Sequence, residues 1–344
     1  MRLTELCHSG GCGAKMPWPQ LQNILAAVED EPLPAWVTDG YGDSAVVEPP
    51  DYDHVSVHSV DFGTPVSDDA YEWGRIAAEN AMSDIWACGA RPRVAQSILG
   101  WPERHDIDVG GDPRAVLGGA IEQLRRAGAA LAGGHSMSSS EPFFGLAVTG
   151  HVKRGREMGN DRGRPGDVLV MTKPVGSGLA ISAMKQSALS EGLWRESVAW
   201  MVQSNGPAAI AAANLGAVCA TDVSGNGVIG HAHVLGKRSG LGVRLDPLAV
   251  RAMGCVESAF SQGVVPRAAE SMMLAAEAFS DIASLPVARR LLLCDPQTSG
   301  GLLIALPSEV APRILERVSG AYVVGSLDSG RPGRVEFAEV RWGS

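Results

Sequence analysis

The sequence predicts a two-domain chain of mixed α/β (α+β) class, and three observations predict it. Its 344 residues exceed what one ordinary core holds, at roughly 150 residues per domain. Strand-like and helical patterns alternate in both halves. Between the halves, KRGREMGNDRGRPGD, residues 153–167, is polar, rich in Gly and Arg and without periodicity, which places the domain boundary there. The division is then a flexible Gly-rich loop over 1–18, an N-terminal domain over 19–154 and a C-terminal domain over 165–344.

In chain order, CHSGGCGAK carries small residues and no apolar period, so it reads as a mobile loop. HVSVHSVDF alternates as a strand, and FFGLAVTGHV reads as a second. Between them lie two helices. One begins after Ser67-Asp68-Asp69, where Asp69 and Glu72 resemble a capping box, and ends near Gly89 before Pro92; Asn80 and Asp84 share one of its faces. The other starts at Asp112-Pro113, carries Val116, Leu117, Ala120, Ile121 and Leu124 at helical spacing, and stops at Gly128. The second half predicts a strand at 168–172, helices within 177–189, 195–214 and 227–238, strands at 290–294 and 302–306, and further strands toward 338. No short internal repeat is visible, and no low-complexity tract exceeds the triple serine at 138–140.

Composition excludes several functions. Lys and Arg number 29 against 38 Asp and Glu, a net charge of −9, the wrong sign for neutralising a nucleic-acid backbone. A nucleotide bound by so acidic a chain needs divalent cations between its phosphates and the local carboxylates. The six cysteines form no C-x-x-C pair, which fits a reducing cytoplasm. The N-terminal residues lack an apolar signal core, and the apolar stretch from Ala208 to Ala220 is broken by Asn214 and too short for a bilayer, so neither export nor a membrane partner is expected.

Four aspartates stand beside small residues at probable strand ends or on a helix face: Asp43 in GYGDSAVV, Asp61 in HSVDFG, Asp84 in NAMSD and Asp222 in TDVSGNG. Carboxylates are the hard ligands that Mg²⁺ takes when it bridges phosphates, although any one such Asp is more often a turn-former or a cap. Gly133-Gly134-His135-Ser136 offers consecutive N–H groups to an anion. Cys12 and Lys15 share the Gly-rich loop, where a neighbouring ammonium favours the nucleophilic thiolate. A zinc site from Cys7, His8 and Cys12 lacks a fourth ligand nearby. His231 and His233 force no metal geometry and read as structural histidines. CDPQTSGGLLIA reads as a polar turn joining two apolar strands. There is no P-loop, no G-x-G-x-x-G opening a helix and no protein-kinase signature, so an ATP site has to be built differently.

Together the strings LTELCHSGGCGAK, VDFGTPVSDD, GRIAAENAMSDIWACGARP, SILGWP, LAGGHSMSSSEPFFGLAVTG, TDVSGNGVIGH and CDPQTSGGLLIA resemble the selenophosphate synthetase (selenide, water dikinase) family along nearly the whole chain. The resemblance implies an aminoimidazole ribonucleotide synthetase-like fold whose N-terminal-domain strands build a dimeric barrel. It also implies a homodimer that takes ATP and selenide, with several Mg²⁺ ions, to selenophosphate, AMP and phosphate. By the same resemblance Cys12 and Lys15 are catalytic, with Lys15 on the nucleotide phosphates; Asp43, Asp84 and Asp222 are metal ligands; and Gly40, Tyr41, Gly42, Asp61, Asp84, Gly134, His135 and Ser136 line the ATP site, with Asn80 an auxiliary beside Asp84. Two positions depart from the family pattern: Ala14 replaces a second loop cysteine of some relatives, and Asn226 stands where an aromatic residue is usual. A small-molecule kinase of the same superfamily that stops at ADP, or a non-catalytic ATP- or selenium-binding protein, is the alternative.

Overall fold

The computed structural model describes residues 37–39, 46–47, 53–102 and 112–339. The polypeptide divides into one unit of Met1–Ile85 and Pro92–His151 and another of Trp86–Arg91 and Val152–Ser344. Cys12, Lys15, Gly40, Tyr41, Gly42 and Asp43 lie outside the described residues.

In the first unit β1 (Val37–Asp39) pairs antiparallel with β2 (Val46–Val47). There follow β3 (His54–Gly63), α1 (Ala70–Ala87), β4 (Arg91–Trp101), α2 (Pro113–Ala127), β5 (Ala130–Ser138) and β6 (Phe143–Lys153). The four longer strands form a sheet in the order β3-β6-β4-β5, with β4 and β5 parallel. The first turn of α1 shows why the helix begins there. Glu72 N–H donates to Asp69 Oδ1 at 2.9 Å, and the return arm of the capping box runs through Ser67, whose Oγ accepts from Asp69 N at 3.1 Å and donates to Glu72 Oε1 at 2.6 Å. α2 opens on Asp112, whose side chain accepts from Arg114 N, and closes on left-handed Gly128.

Trp73 holds the core of this unit together. It stacks on Trp101 at 6.3 Å between ring centroids and meets Phe144 edge-on at 6.2 Å. Ile76, Met82, Ile85, Val116, Leu124 and Leu146 are buried with it. α1 and α2 approach backbone to backbone through glycines: a Cβ on Gly74 would sit 1.9 Å from the Val116 carbonyl oxygen, and one on Gly119 would sit 2.0 Å from that of Tyr71.

The second unit carries β7 (Asp167–Met171), α3 (Ser177–Lys185), α4 (Glu191–Met201), α5 (Gly206–Asn214), β8 (Cys219–Asp222), α6 (Gly227–Ser239) and β9 (Gly242–Leu245). After these come α7 (Cys255–Ser261), α8 (Arg267–Ala276), α9 (Val287–Cys294), β10 (Leu302–Pro307), α10 (Ala311–Arg317), β11 (Tyr322–Asp328) and β12 (Val335–Phe337). Its sheet runs β12-β9-β11-β7-β10-β8. Every residue of β7 is buried, as a central strand requires. Leu179, Ile229, Leu235, Leu303 and Val324 pack into one apolar core around it.

Four sequence expectations change. Residues 290–294, expected as a strand, are the end of the helix α9. The helix expected over 195–214 is two helices, α4 and α5, broken before Pro207. RPRVAQSILGW, for which no element was expected, is the strand β4. The Gly-Gly-His-Ser stretch, likewise expected in no element, lies inside β5.

Gly74→Ala should cost about 2–3 kcal/mol in urea unfolding, because the helix backbones must move apart. Gly118→Ala, whose added Cβ meets only the Tyr71 ring at 3.6 Å, should be neutral or slightly stabilising. Equal effects would show that backbone contact at Gly74 does not set the α1–α2 packing.

Candidate functional site

The candidate site of the first unit arises from two matched periods. Side chains two apart on a strand share a face about 6.8 Å apart, and side chains four apart on a helix share a face about 6 Å apart. Ser59 and Asp61 on β3 therefore meet Asp84 and Asn80 on α1 in crossed pairs. Ser59 Oγ donates to Asp84 Oδ2 at 2.7 Å, and Asn80 Nδ2 donates to Asp61 Oδ2. Asp61 is half-buried and Asp84 exposed. Burial raises the Asp61 carboxyl above its usual range, and the neighbouring charge of Asp84 raises it further, against the hydrogen bonds from Asn80 and the Phe62 main chain.

Gly134, His135 and Ser136 lie elsewhere in this unit. The β4–β5 ladder shifts register between Ala95 and Ser97, and the chain accommodates the shift at Gly133, whose φ is +89°, and at Gly134, where a Cβ would lie 2.3 Å from Ser97 O. His135 is exposed just after this bulge. β5 and β3 form opposite edges of the sheet, three strand spacings or roughly 14 Å apart. The structure thus brings Asp61, Asn80 and Asp84 together and leaves Gly134–Ser136 across the sheet.

In the second unit Asp222 is the last residue of β8 and is half-buried, paired in register with Leu302 of β10. Asn226 immediately precedes α6 and is exposed. The two histidines of α6 have structural partners: His231 Nε2 accepts from Ser224 N at 3.0 Å, while His233 Nδ1 pairs with Gly333 O at 2.6 Å and its ring stacks on Phe279.

The segment 295–301 is a buried polar turn between α9 and β10. Asp295 Oδ2 accepts from Gly178 N at 3.1 Å and from Gln297 Nε2 at 2.8 Å, and Gln297 Oε1 accepts from Gly176 N, Ser177 N and Ser177 Oγ at 3.1–3.3 Å. Burial pushes the Asp295 carboxyl up to about 8, against those hydrogen bonds. Sequence reasoning missed Asp295, Gln297 and Ser59. Only Ser59 had a local signal, its two-residue spacing from Asp61.

Among the described residues no group of three or more His, Cys, Asp or Glu side chains could hold a metal ion. Mg²⁺ that bridges phosphates keeps several waters and takes one or two carboxylates. Asp61, whose ionisation the neighbouring Asp84 charge opposes, and Asp84 beside it fit that use. Cys88, Cys219, Cys255 and Cys294 are in no disulfide, and burial pushes Cys219 to about 11 and Cys294 to about 12, which leaves both unreactive. No helix among the described residues is long and apolar enough to cross a membrane.

Residues 41–152 match the family described as AIR synthase related protein, N-terminal domain, and residues 164–337 match its C-terminal domain. Both halves of that architecture are thus present. The thiamine-monophosphate kinase from Stenotrophomonas maltophilia K279a superposes with a TM-score of 0.69 at 17% identity, over 94% of this chain and 96% of that one. The hydrogenase maturation protein HypE in complex with ATP gives 0.63 at 19%, over 86% and 84%. At such identities the likeness shows the fold alone. The selenide, water dikinase of Pseudomonas aeruginosa is 38% identical over 315 residues, 90% of this chain and 89% of the relative, and that of Clostridioides difficile is 32% identical over 335 residues, 95% of each. The chain belongs to the selenide, water dikinase family.

The Asp295 carboxyl yields a prediction whose sign is fixed. The folded form keeps a proton that the unfolded carboxyl, near 3.8, has already shed. Stability from this group is therefore greatest at low pH, falls as pH rises toward about 8 and then levels off. Asp295→Asn keeps the outline and has nothing to titrate. Relative to the wild type it should gain stability between pH 5 and pH 8, by on the order of a few kcal/mol at about 1.4 kcal/mol per pKa unit. Denaturant unfolding at several pH values measures the difference, and parallel pH profiles would refute a neutral buried Asp295.

Proposed function

We propose that this protein converts ATP, selenide and water to selenophosphate, AMP and orthophosphate. The observation that carries the reading is the pairing of Asp61 with Asn80 and of Asp84 with Ser59, two neighbouring carboxylates oriented by neutral donors, in a chain 38% identical to a selenide, water dikinase.

In this reading Asp43, Asp84 and Asp222 hold Mg²⁺, which when bound neutralises triphosphate charge so that an anionic nucleophile can approach. Asn80 and Ser59 keep the Asp61 and Asp84 carboxylates aimed without discharging them. Gly40, Tyr41, Gly42, Asp61, Gly134, His135 and Ser136 bind the nucleotide, and Lys15 meets its phosphates. Cys12, three residues before Lys15 in the Gly-rich loop, is the active-site cysteine at the phosphoryl transfer to selenide, and closure of the loop would keep water out of that transfer. A homodimer is supported by β3, an edge strand on which Val60 and Phe62 are 60% and 57% exposed. A second copy on that edge would cover apolar surface that the first unit leaves open. The cytoplasm suits the described cysteines, which are in no disulfide.

Phosphorus NMR of the protein with Mg-ATP and selenide, under anaerobic reducing conditions, tests the reading. The wild type should form selenophosphate and AMP only when selenide is present. Cys12→Ala should abolish selenophosphate, and Asp84→Asn should slow it by about 100-fold or more. Accumulation of ADP as the end product, or turnover indifferent to selenide, would sink the proposal in favour of a superfamily kinase.

A further inference from the structure

β8 is the last strand of its sheet, and Asp222 is its last residue. The ladder to Leu302 holds Asp222 itself, and the chain that follows it continues beyond the strand. Three main-chain groups of that chain are fixed. Val223 N donates to Gly301 O at 2.9 Å, Ser224 O accepts from Gln297 N at 3.0 Å, and Ser224 N donates to His231 Nε2 at 3.0 Å. Two of these three partners belong to the turn 295–301. The contact is close: a Cβ on Gly300 would lie 2.2 Å from Val223 O.

The turn has no ladder of its own and is held by buried polar side chains. Gln297 joins it to the N-terminus of α3 through Oε1 and to Asp295 through Nε2. Thr298 N donates to Ser177 Oγ at 2.9 Å. Lys173 Nζ donates to Ser299 O at 3.0 Å, and Asn205 Nδ2 donates to Gly300 O at 2.8 Å. Lys173, Asn205, Asp295 and Gln297 are all at most 4% exposed. Burying four such groups is costly unless each is paired, and apolar packing would cover this turn at lower cost. What directed hydrogen bonds add is a single main-chain position, and the main chain so positioned is that of residues 223 and 224.

We propose that Gln297, with Asp295 and Lys173, is a positioning residue: the 295–301 turn clamps the chain after β8 and thereby aims the Asp222 carboxylate. The inference rests on the reading of Asp222 as a metal-binding carboxylate. Gln297→Ala removes the acceptor of three donors and leaves Asp295 and Thr298 to tie the turn to α3.

The test compares Gln297→Ala, Asp222→Asn and Val324→Ala in the full chain; Val324 is a fully buried core residue of the same unit, and its truncation reports destabilisation alone. Two quantities are read, amide hydrogen exchange over residues 221–226 and the Mg²⁺ concentration for half-maximal selenophosphate formation. Gln297→Ala should speed exchange at Val223 and Ser224 at least tenfold and raise the half-activating Mg²⁺ about tenfold. Excess Mg²⁺ should restore most of its turnover, and the double variant with Asp222→Asn should add little to Asp222→Asn. Val324→Ala should leave the Mg²⁺ curve where it is. Unchanged exchange in Gln297→Ala, or a Mg²⁺ curve that moves no further than that of Val324→Ala, overturns the proposal. If Asp222→Asn itself leaves the Mg²⁺ curve unmoved, the metal reading falls and this inference with it, and faster exchange in Gln297→Ala distinguishes that outcome from a clamp that does not exist.

Discussion

A carboxylate can be oriented by a cation or by a neutral donor, and the choice decides how much of its charge is left for a ligand. At Asp61 and Asp84 the orienting groups are an amide and a hydroxyl, and none of the groups that shift Asp61 is a cation. A lysine in place of Asn80 would hold Asp61 as firmly and spend its charge. The neutral pairing costs folding energy, because the half-buried Asp61 carboxylate stands beside the charge of Asp84, and that cost is what an incoming cation would relieve. The remaining structure of the first unit serves this arrangement: α1 must lie so that its four-residue repeat matches the two-residue repeat of β3, and Trp73 and Gly74 on the same helix fix its packing against Phe144 and Val116.

Much of this was legible in the sequence where the signal is local. The period of two in HVSVHSVDF puts Val55 and Val57 on the more covered face of β3 and Val60 and Phe62 on the open one, and the start of α1 is written in Ser67, Asp69 and Glu72. The failures have equally local causes. RLLLC, 290–294, reads as a strand from its apolar run, yet the run is short, and length alone does not separate a buried strand from a buried helix. Its identity as α9 is set by packing of Leu291, Leu292 and Leu293 into the core of the second unit. β4 escaped because its buried and half-buried positions do not alternate cleanly. Gly133 and Gly134 read as N–H groups open to an anion, a pattern that paired glycines share with ordinary turns; here they serve a bulge within a parallel ladder.

The site was legible to a different depth in each unit. Asn80 and Asp84 share a helix face by arithmetic, and adding Ser59 and Asp61 required only the strand period. The 295–301 turn offered no such route. Gln297 meets Ser177 at a separation of 120 residues and Lys173 meets Ser299 at 126, and no periodicity connects positions so far apart. A buried glutamine is also invisible as such, since Gln is usually exposed. What the sequence did carry was the composition of the turn, small and polar between apolar runs, which is what a segment needs when its main chain must touch two neighbours at once.

The fold by itself does not select a reaction. A thiamine-monophosphate kinase and a hydrogenase maturation protein share it at 17% and 19% identity, so the layered sheets are compatible with different acceptors. Specificity between acceptors has to reside in groups that contact them and are worth more in one transition state than another. The β3–α1 pairing and the clamp behind Asp222 do not discriminate in that sense. In the proposed reaction they would hold carboxylates in position for whichever phosphoryl acceptor arrives. Discrimination for selenide therefore falls to the groups added to this frame, and in this chain the strongest candidates by chemistry are a thiol and an ammonium three residues apart, Cys12 and Lys15. The division of labour in the proposed reaction would then be this: Mg²⁺ held by carboxylates would meet the phosphates, and the Lys15 ammonium beside Cys12 would attract the selenide anion.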